Sequence, residues 1–476
     1  MEALQRLHNR GSISTESIDC SLVLESTNSE RLHKTPSGAG NRKTFTISFW
    51  IKRGLPSGTK QYFFEAGNSD ADNDRFTIRF GVGDSLDIQS SSTWLVTNRV
   101  FRDTAAWYHI VVKVDTTDGT AANRIKLYVN GVEETSFATD NRANINQNHD
   151  FPVNNTEPHN IGSSEIEGLY GSGYIAEWVQ LDGTASAPTA FGEFDTDSGI
   201  WKPIDVSGLT FGTNGFYLDF ADSANLGNDA NGGTDFTLVN IGAADHSTDS
   251  PTNNFATINP LAGLGMGGVP FKFPNGSTEI KRDPDDTGGW VCVVSTMAVN
   301  KGKWYAEFEV LESPSVTMYG YTTVAYLEGG SGLNYPHFYL GNSPNNTGYY
   351  SNGDGANDSI YEDVSYPSTG VQSSAGTVIS VALDCDNNKI HFANNGTYTN
   401  SSNPANNTNG FTVIDDYVYF AHASYTGNKI YKTNFGGYTS DGISSAASDA
   451  NGYGTFEYAP PTGYYALCTK NLAEYG

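Results

Sequence analysis

The sequence predicts an all-β chain: two antiparallel β-sandwiches in tandem behind a short N-terminal arm. Three observations predict it. Apolar and polar residues alternate with period two over short runs, turn-forming pairs such as Asn-Gly punctuate those runs, and helical spacing of apolar residues is nearly absent. Length agrees, since 476 residues suit two large all-β domains.

Residues 1–17, MEALQRLHNRGSISTES, form the arm. Leu4 and Leu7 would share one helical face, and Arg6 and Arg10 make the segment basic. A peptide this short has no core of its own, so a partner surface or a neighbouring subunit must order it. Leu4, Arg6, Leu7 and Arg10 are therefore the expected docking residues, with a frayed terminus as the alternative.

The first sandwich is expected over residues 18–250. In FTISFWIK, Phe45, Ile47, Phe49 and Ile51 share a face, with Thr46, Ser48 and Lys52 opposite. Tyr108, Ile110, Val112 and Val114 repeat the pattern, and Ile125, Leu127 and Val129 run into Asn130-Gly131, a type I′ hairpin signal. Residues 251–270 read as a linker, polar at first and then punctuated by Pro and Gly. The second sandwich, residues 271–476, shows Trp304, Ala306, Phe308 and Val310 on one face. Ile379, Val381 and Leu383 then lead through an Asp-Asn-Asn turn to Ile390, Phe392 and a further Asn-Gly turn.

Composition narrows the function. Acids outnumber bases 53 to 27, for a net charge of −26, which disfavours nucleic acid as a partner. The 27 Tyr, 25 Phe and 7 Trp supply apolar surface for folded cores and argue against disorder. No apolar run nears the ~20 residues that span a bilayer, so membrane insertion is not expected, and the N-terminus lacks a secretory hydrophobic stretch. Cys20, Cys292, Cys385 and Cys468 are too scattered for a disulfide framework or a metal knuckle. Residues 1–60 carry nine bases and five acids, which leaves a mildly basic end on an acidic body.

Several phrases resemble known families. SLVLESTNSERLHKTPSGAGNRKTFTISFWIKR, WYHIVVKVDTTDGTAANRIKLYVNGVEE, YIAEWVQLDGTASAP and NGFYLDFADSANLGNDANGGTDFT resemble a concanavalin A-like, or laminin G-like, jelly roll. KGKWYAEFEV, VISVALDCDNNKIHFANNGTY and FEYAPPTGYYALCTKNL resemble a SPRY-type sandwich. The modules in this order, with the N-terminal opening, are similar to tail-fibre-like virion proteins of marine tailed bacteriophages. That resemblance implies a non-enzymatic structural protein on the virion surface, assembled in the host cytoplasm. It would act as a tail fibre or receptor-binding component, or else as a capsid-decoration (head-fibre) protein. The class further implies attachment to other virion proteins through the arm, homo-oligomers (trimers for a fibre), and recognition of a host surface glycan or protein.

Several motifs invite a catalytic or metal-binding reading. Jelly-roll glycosidases carry Glu-x-Asp-x-Glu on a strand, so that alternate carboxylates enter one cleft. Glu193-Phe194-Asp195-Thr196-Asp197 ends in the shorter Asp and is flanked by turn residues, so an acidic turn is expected. A polysaccharide depolymerase remains the rival from another class, and a cellular lectin a third reading. Gly263, Gly265 and Gly268 fit G-x-G-x-x-G but lack the strand–helix context, and so belong to the linker. Asp70, Asp72 and Asp74 fail EF-hand spacing. A looser calcium site there is the alternative to an acidic loop, and no other cofactor is expected.

Residues 333–367 interleave tyrosines with Asn, Gly and Asp, the composition of adaptable sugar- or protein-binding loops. Tyr339 and Tyr366 belong to this stretch. The expected ligand-binding set is Tyr335, His337, Tyr349, Tyr350, Asp354, Asn357 and Tyr361, with strand-core tyrosines as the competing reading.

Overall fold

The computed structural model describes residues 16–54, 58–69, 75–89, 93–261, 271–282, 290–311, 316–323, 339–352, 356–363, 365–425, 430–440 and 442–476. Strands account for 44% and helices for 6% of the described residues. The chain divides into two compact units, Met1–Asn253 and Asn254–Gly476. Arm residues Leu4, Arg6, Leu7 and Arg10, and linker glycines Gly263, Gly265 and Gly268, lie outside the described residues.

The first unit is a pair of eight-stranded sheets. One is centred on Thr44–Arg53, between Trp107–Asp115 and Gly173–Asp182. The other runs through Ser85–Gln89, Arg75–Phe80, Gln61–Gly67, His159–Ile161 and Arg31–Lys34. Phe45, Ile47, Phe49 and Ile51 point into the shared core at 0–1% exposure, as alternation requires. The Asn130-Gly131 hairpin forms with Val129 opposite Val132, and both turn residues have positive φ (48° and 77°).

The opposite face of the central strand is also buried. Phe191, Val206 and Phe211, from the segment that follows Gly173–Asp182, pack on Val111, Val179 and Leu181. The same segment supplies Trp201, whose ring closes over the polar contacts of His109. Trp201 Nε1 donates to His109 Nδ1 (2.9 Å), His109 Nε2 bonds Ser48 Oγ (2.8 Å), and the imidazole stacks on Trp50. Lys52 Nζ lies 2.7 Å from Asp249 Oδ2, and Trp107 Nε1 donates to Asp249 Oδ1 (3.1 Å).

The second unit repeats the logic. Its larger sheet is centred on Lys303–Val310, flanked by Val378–Asp384 and Ile430–Asn434. The smaller sheet has the order Val291–Val299, Val418–Ser424, Thr317–Thr323, Asn346–Ser351, Ser359–Glu362. Trp304, Phe308, Tyr319, Tyr321, Ile379, Val381 and Phe420 meet between them. Phe255 bridges Cys468 and Ile258 bridges Ser295, so these residues, within the span expected as linker, are built into the second sandwich. A seven-residue helix, Thr469–Tyr475, follows.

Burial shifts several groups and sets the pH behaviour. His109 and His422 are pushed down to about 3 and His159 to about 4. Glu30 and Glu307 are pushed up to about 7, and Glu177 to about 8. Below the ordinary histidine value of 6.5 the unfolded chain takes up protons that these folded histidines refuse. Above the ordinary glutamate value of 4.5 it releases protons that the folded glutamic acids keep. The two effects oppose each other inside each unit between those values. Thermal melts across pH should therefore place maximal stability between about 4.5 and 6.5. Each uncompensated proton costs about 1.4 kcal/mol per pH unit outside that window, downward toward pH 3 and upward through 7 to 8. Melting temperatures that kept rising to pH 8 would contradict this assignment.

Candidate functional site

The outward face of the smaller sheet in the second sandwich is built differently from its core face. Alternation sends Tyr319, Tyr321, Tyr349 and Phe420 inward. It leaves Cys292, Val294, Met318, Gly320, Gly348, Tyr350, Tyr361, Ala421 and Ala423 outward. In register, Gly320 lies between Ala421 and Gly348, and Met318 between Ala423 and Tyr350. These small side chains make a shallow floor. Leu340 covers it and is fully buried with Val294, Met318, Ala421 and Ala423. A Cβ on Gly348 would sit 2.6 Å from that of Leu340, so the cover depends on glycine there.

Six aromatic rings surround this floor in one connected row. Trp290 meets Tyr425 (centroids 5.5 Å apart), Tyr339 (5.8 Å) and Tyr350 (6.1 Å). Tyr350 and Tyr361 are diagonal neighbours on adjacent strands, 4.9 Å apart. Tyr361 in turn meets Tyr366 at 4.2 Å. Glu362 and Ser365 exchange backbone bonds of 3.0 and 2.7 Å, which closes the hairpin that sets Tyr366 beside Tyr361. The row is open at both ends, since Tyr366 is 47% and Tyr425 43% exposed. Burial and neighbouring tyrosines raise the Tyr361 hydroxyl above its ordinary value, so it stays neutral near pH 7. Such a surface offers ring faces to C–H patches and hydroxyls to polar groups, the amphipathic contact that favours Tyr and Trp at interfaces.

Sequence-predicted residues fall into three groups. Tyr350 and Tyr361 come together on this face. Tyr349 does not join them: it is fully buried, its hydroxyl donating to Asp358 Oδ2 (2.7 Å) and accepting from Asn394 Nδ2 (3.1 Å). Period two turns it into the core, where no ligand reaches it. Asn357 is exposed next to buried Asp358, whose Oδ1 also accepts Asn352 N–H (2.9 Å) and so ties down this loop. Tyr335, His337 and Asp354 lie outside the described residues, as do Asp70, Asp72 and Asp74. Sequence reasoning passes over Trp290 and Tyr425, although alternation marks both. Trp290, Cys292 and Val294 share one face, as do Tyr419, Ala421, Ala423 and Tyr425.

The acidic motif of the first sandwich is a hairpin tip. Gly192–Phe194 pairs with Trp201–Pro203. Asp195 accepts the Ser198 N–H (2.8 Å) and hydroxyl (2.9 Å), which pull it down to about 2. Lys202 reaches Asp195 (3.2 Å) and Glu193 (3.3 Å). These carboxylates are engaged by their own turn. Among the described residues, no group of three His, Cys, Asp or Glu side chains is placed to hold a metal ion.

This architecture has recognisable relatives. Residues 27–188 match the concanavalin A-like lectin/glucanases superfamily, and residues 303–438 match the SPRY domain. The chain thus carries a laminin G-like domain followed by a SPRY domain, two kinds of β-sandwich that are typically non-catalytic and binding. Among solved structures, it is similar to the SPRY domain of human HERC1: 14% identity, 34% of this chain, 91% of that one, TM-score 0.26. It is also similar to a heptameric SAP-like pentraxin from Limulus polyphemus: 18% identity, 36% of this chain, 80% of that one, TM-score 0.28. No curated protein matches it in sequence.

Proposed function

We propose that the protein is a non-enzymatic binding component of a tailed-phage virion, a tail fibre or receptor-binding protein, that holds a host surface glycan on the aromatic face of its SPRY domain. The observation that carries the binding reading is the connected row Tyr425–Trp290–Tyr350–Tyr361–Tyr366, exposed at both ends. Neutral, rigid rings suit a hydroxylated polymer better than a charged one. The virion placement is supported by the resemblance of the module order, with residues 1–17 as the attachment to other virion proteins and a trimer as the expected assembly.

Two measurements test this. Mass spectrometry of purified phage particles should find the chain in stoichiometric amount, and its absence would reject the virion role. Incubation with host surface polysaccharide should retain the polymer without creating new reducing ends, in the wild type and in Glu193→Gln alike. Cleavage that disappears in Glu193→Gln would establish a depolymerase instead.

A further inference from the structure

The larger sheet of the SPRY domain also has an outward face, and it holds a cavity of about 510 Å³. Glu307 and Glu309 on Lys303–Val310, Lys432 on Ile430–Asn434, and Ser444, Glu457 and Tyr458 from the later chain line it. The frame is rigid. Glu307 accepts the backbone N–H groups of Glu457 and Tyr458 (2.8 Å each) and the Tyr305 hydroxyl (3.0 Å). Glu457 accepts the Ser444 N–H (2.8 Å) and hydroxyl. Two of the three carboxyl groups are thus occupied in building the walls.

Glu309 is different. Among the described residues its ion pair is a loose one, 3.9 Å from Lys432 Nζ, and its side chain is 34% exposed. Even when Glu307 holds a proton, Glu309 and Glu457 in the lining outnumber its one ammonium, Lys432, which also feels Glu279, and the acidic lining excludes phosphate, sulfate and uronate ligands. A second cation on Glu309 would complete the charge balance, and a charge-assisted hydrogen bond of that kind is among the stronger polar contacts. The volume falls within the ~300–1,000 Å³ of sites that enclose whole small ligands, whereas a single lysine side chain would fill only part of it. The hydroxyls of Thr433, Thr439 and Ser444 and the Tyr458 ring line it beside the apolar Val378 and Ile443, a mixture that suits the polar edge and the C–H face of a sugar ring.

We propose that this cavity binds an amino sugar of one or two units, with its ammonium on Glu309. The site stands apart from the aromatic face and does not rest on the function assigned there. Calorimetric titration of the full chain at pH 6.5 tests it, with a fully deacetylated glucosamine disaccharide and its N-acetylated counterpart as probes. The free amine should bind roughly tenfold tighter or better, the size of one charge-assisted bond. Glu309→Gln should remove most of that preference, while Tyr361→Ala leaves it unchanged. Equal binding of the two sugars, binding of neither, or a preference untouched by Glu309→Gln would overturn the proposal. So would a lysine amide that binds as tightly as the amine disaccharide.

Discussion

Alanine at both Trp290 and Tyr361 is expected to weaken retention of host surface polysaccharide by about a thousandfold, with the fold intact. Trp290 touches three of the other five rings in the row, and Tyr361 touches three. Aromatic anchors at the centre of a contact typically cost ~2 kcal/mol or more when truncated, about thirtyfold each. Both sit on the outward face, so their loss leaves the Tyr319–Phe420 core in place. Binding titrations alongside near-ultraviolet circular dichroism check this. Tyr361→Phe keeps the ring and should lose less than about threefold. A double variant that remains folded and binds normally would move recognition away from this face.

The second large effect concerns the first sandwich. Asp249→Ala is expected to cost about 3–5 kcal/mol, because it strands the buried Lys52 ammonium. Lys52 and Asp249 are each about 1% exposed at the side chain and 2.7 Å apart. Burial lowers the lysine's affinity for its proton, and Asp249 opposes that shift. Adding Lys52→Met should recover most of the loss, since an apolar side chain needs no ion partner there. Chemical denaturation would show the first transition moving while that of the SPRY domain stays. Full stability in Asp249→Ala would mean that the ion pair contributes nothing.

Strand periodicity made most of this fold legible. Phe45 to Ile51 and Trp304 to Val310 alternate so regularly that their core faces follow from the order of residues alone. Alternation does not say which face is the core when both carry similar residues, however. Tyr349 and Tyr350 are adjacent, chemically identical and on opposite sides of one strand, and only the partner sheet decides between them. The Lys52–Asp249 pair spans 197 residues, and no local pattern connects its ends. The face bearing Thr46, Ser48 and Lys52 reads as solvent-facing, because the irregular segment from Phe191 to Phe211 and the distant Asp249 that help bury it carry no period. Trp290 and Tyr425 flank the tyrosine-rich stretch at a distance, so the row of rings emerges only when five strands are laid side by side.

Hydrogen–deuterium exchange of the full chain, with and without host surface polysaccharide, tests the central claim most directly. Slower exchange should concentrate in 290–294, 339–351 and 359–366, the segments that carry or support the rings. Protection confined to the laminin G-like domain, with these segments unchanged, would contradict it.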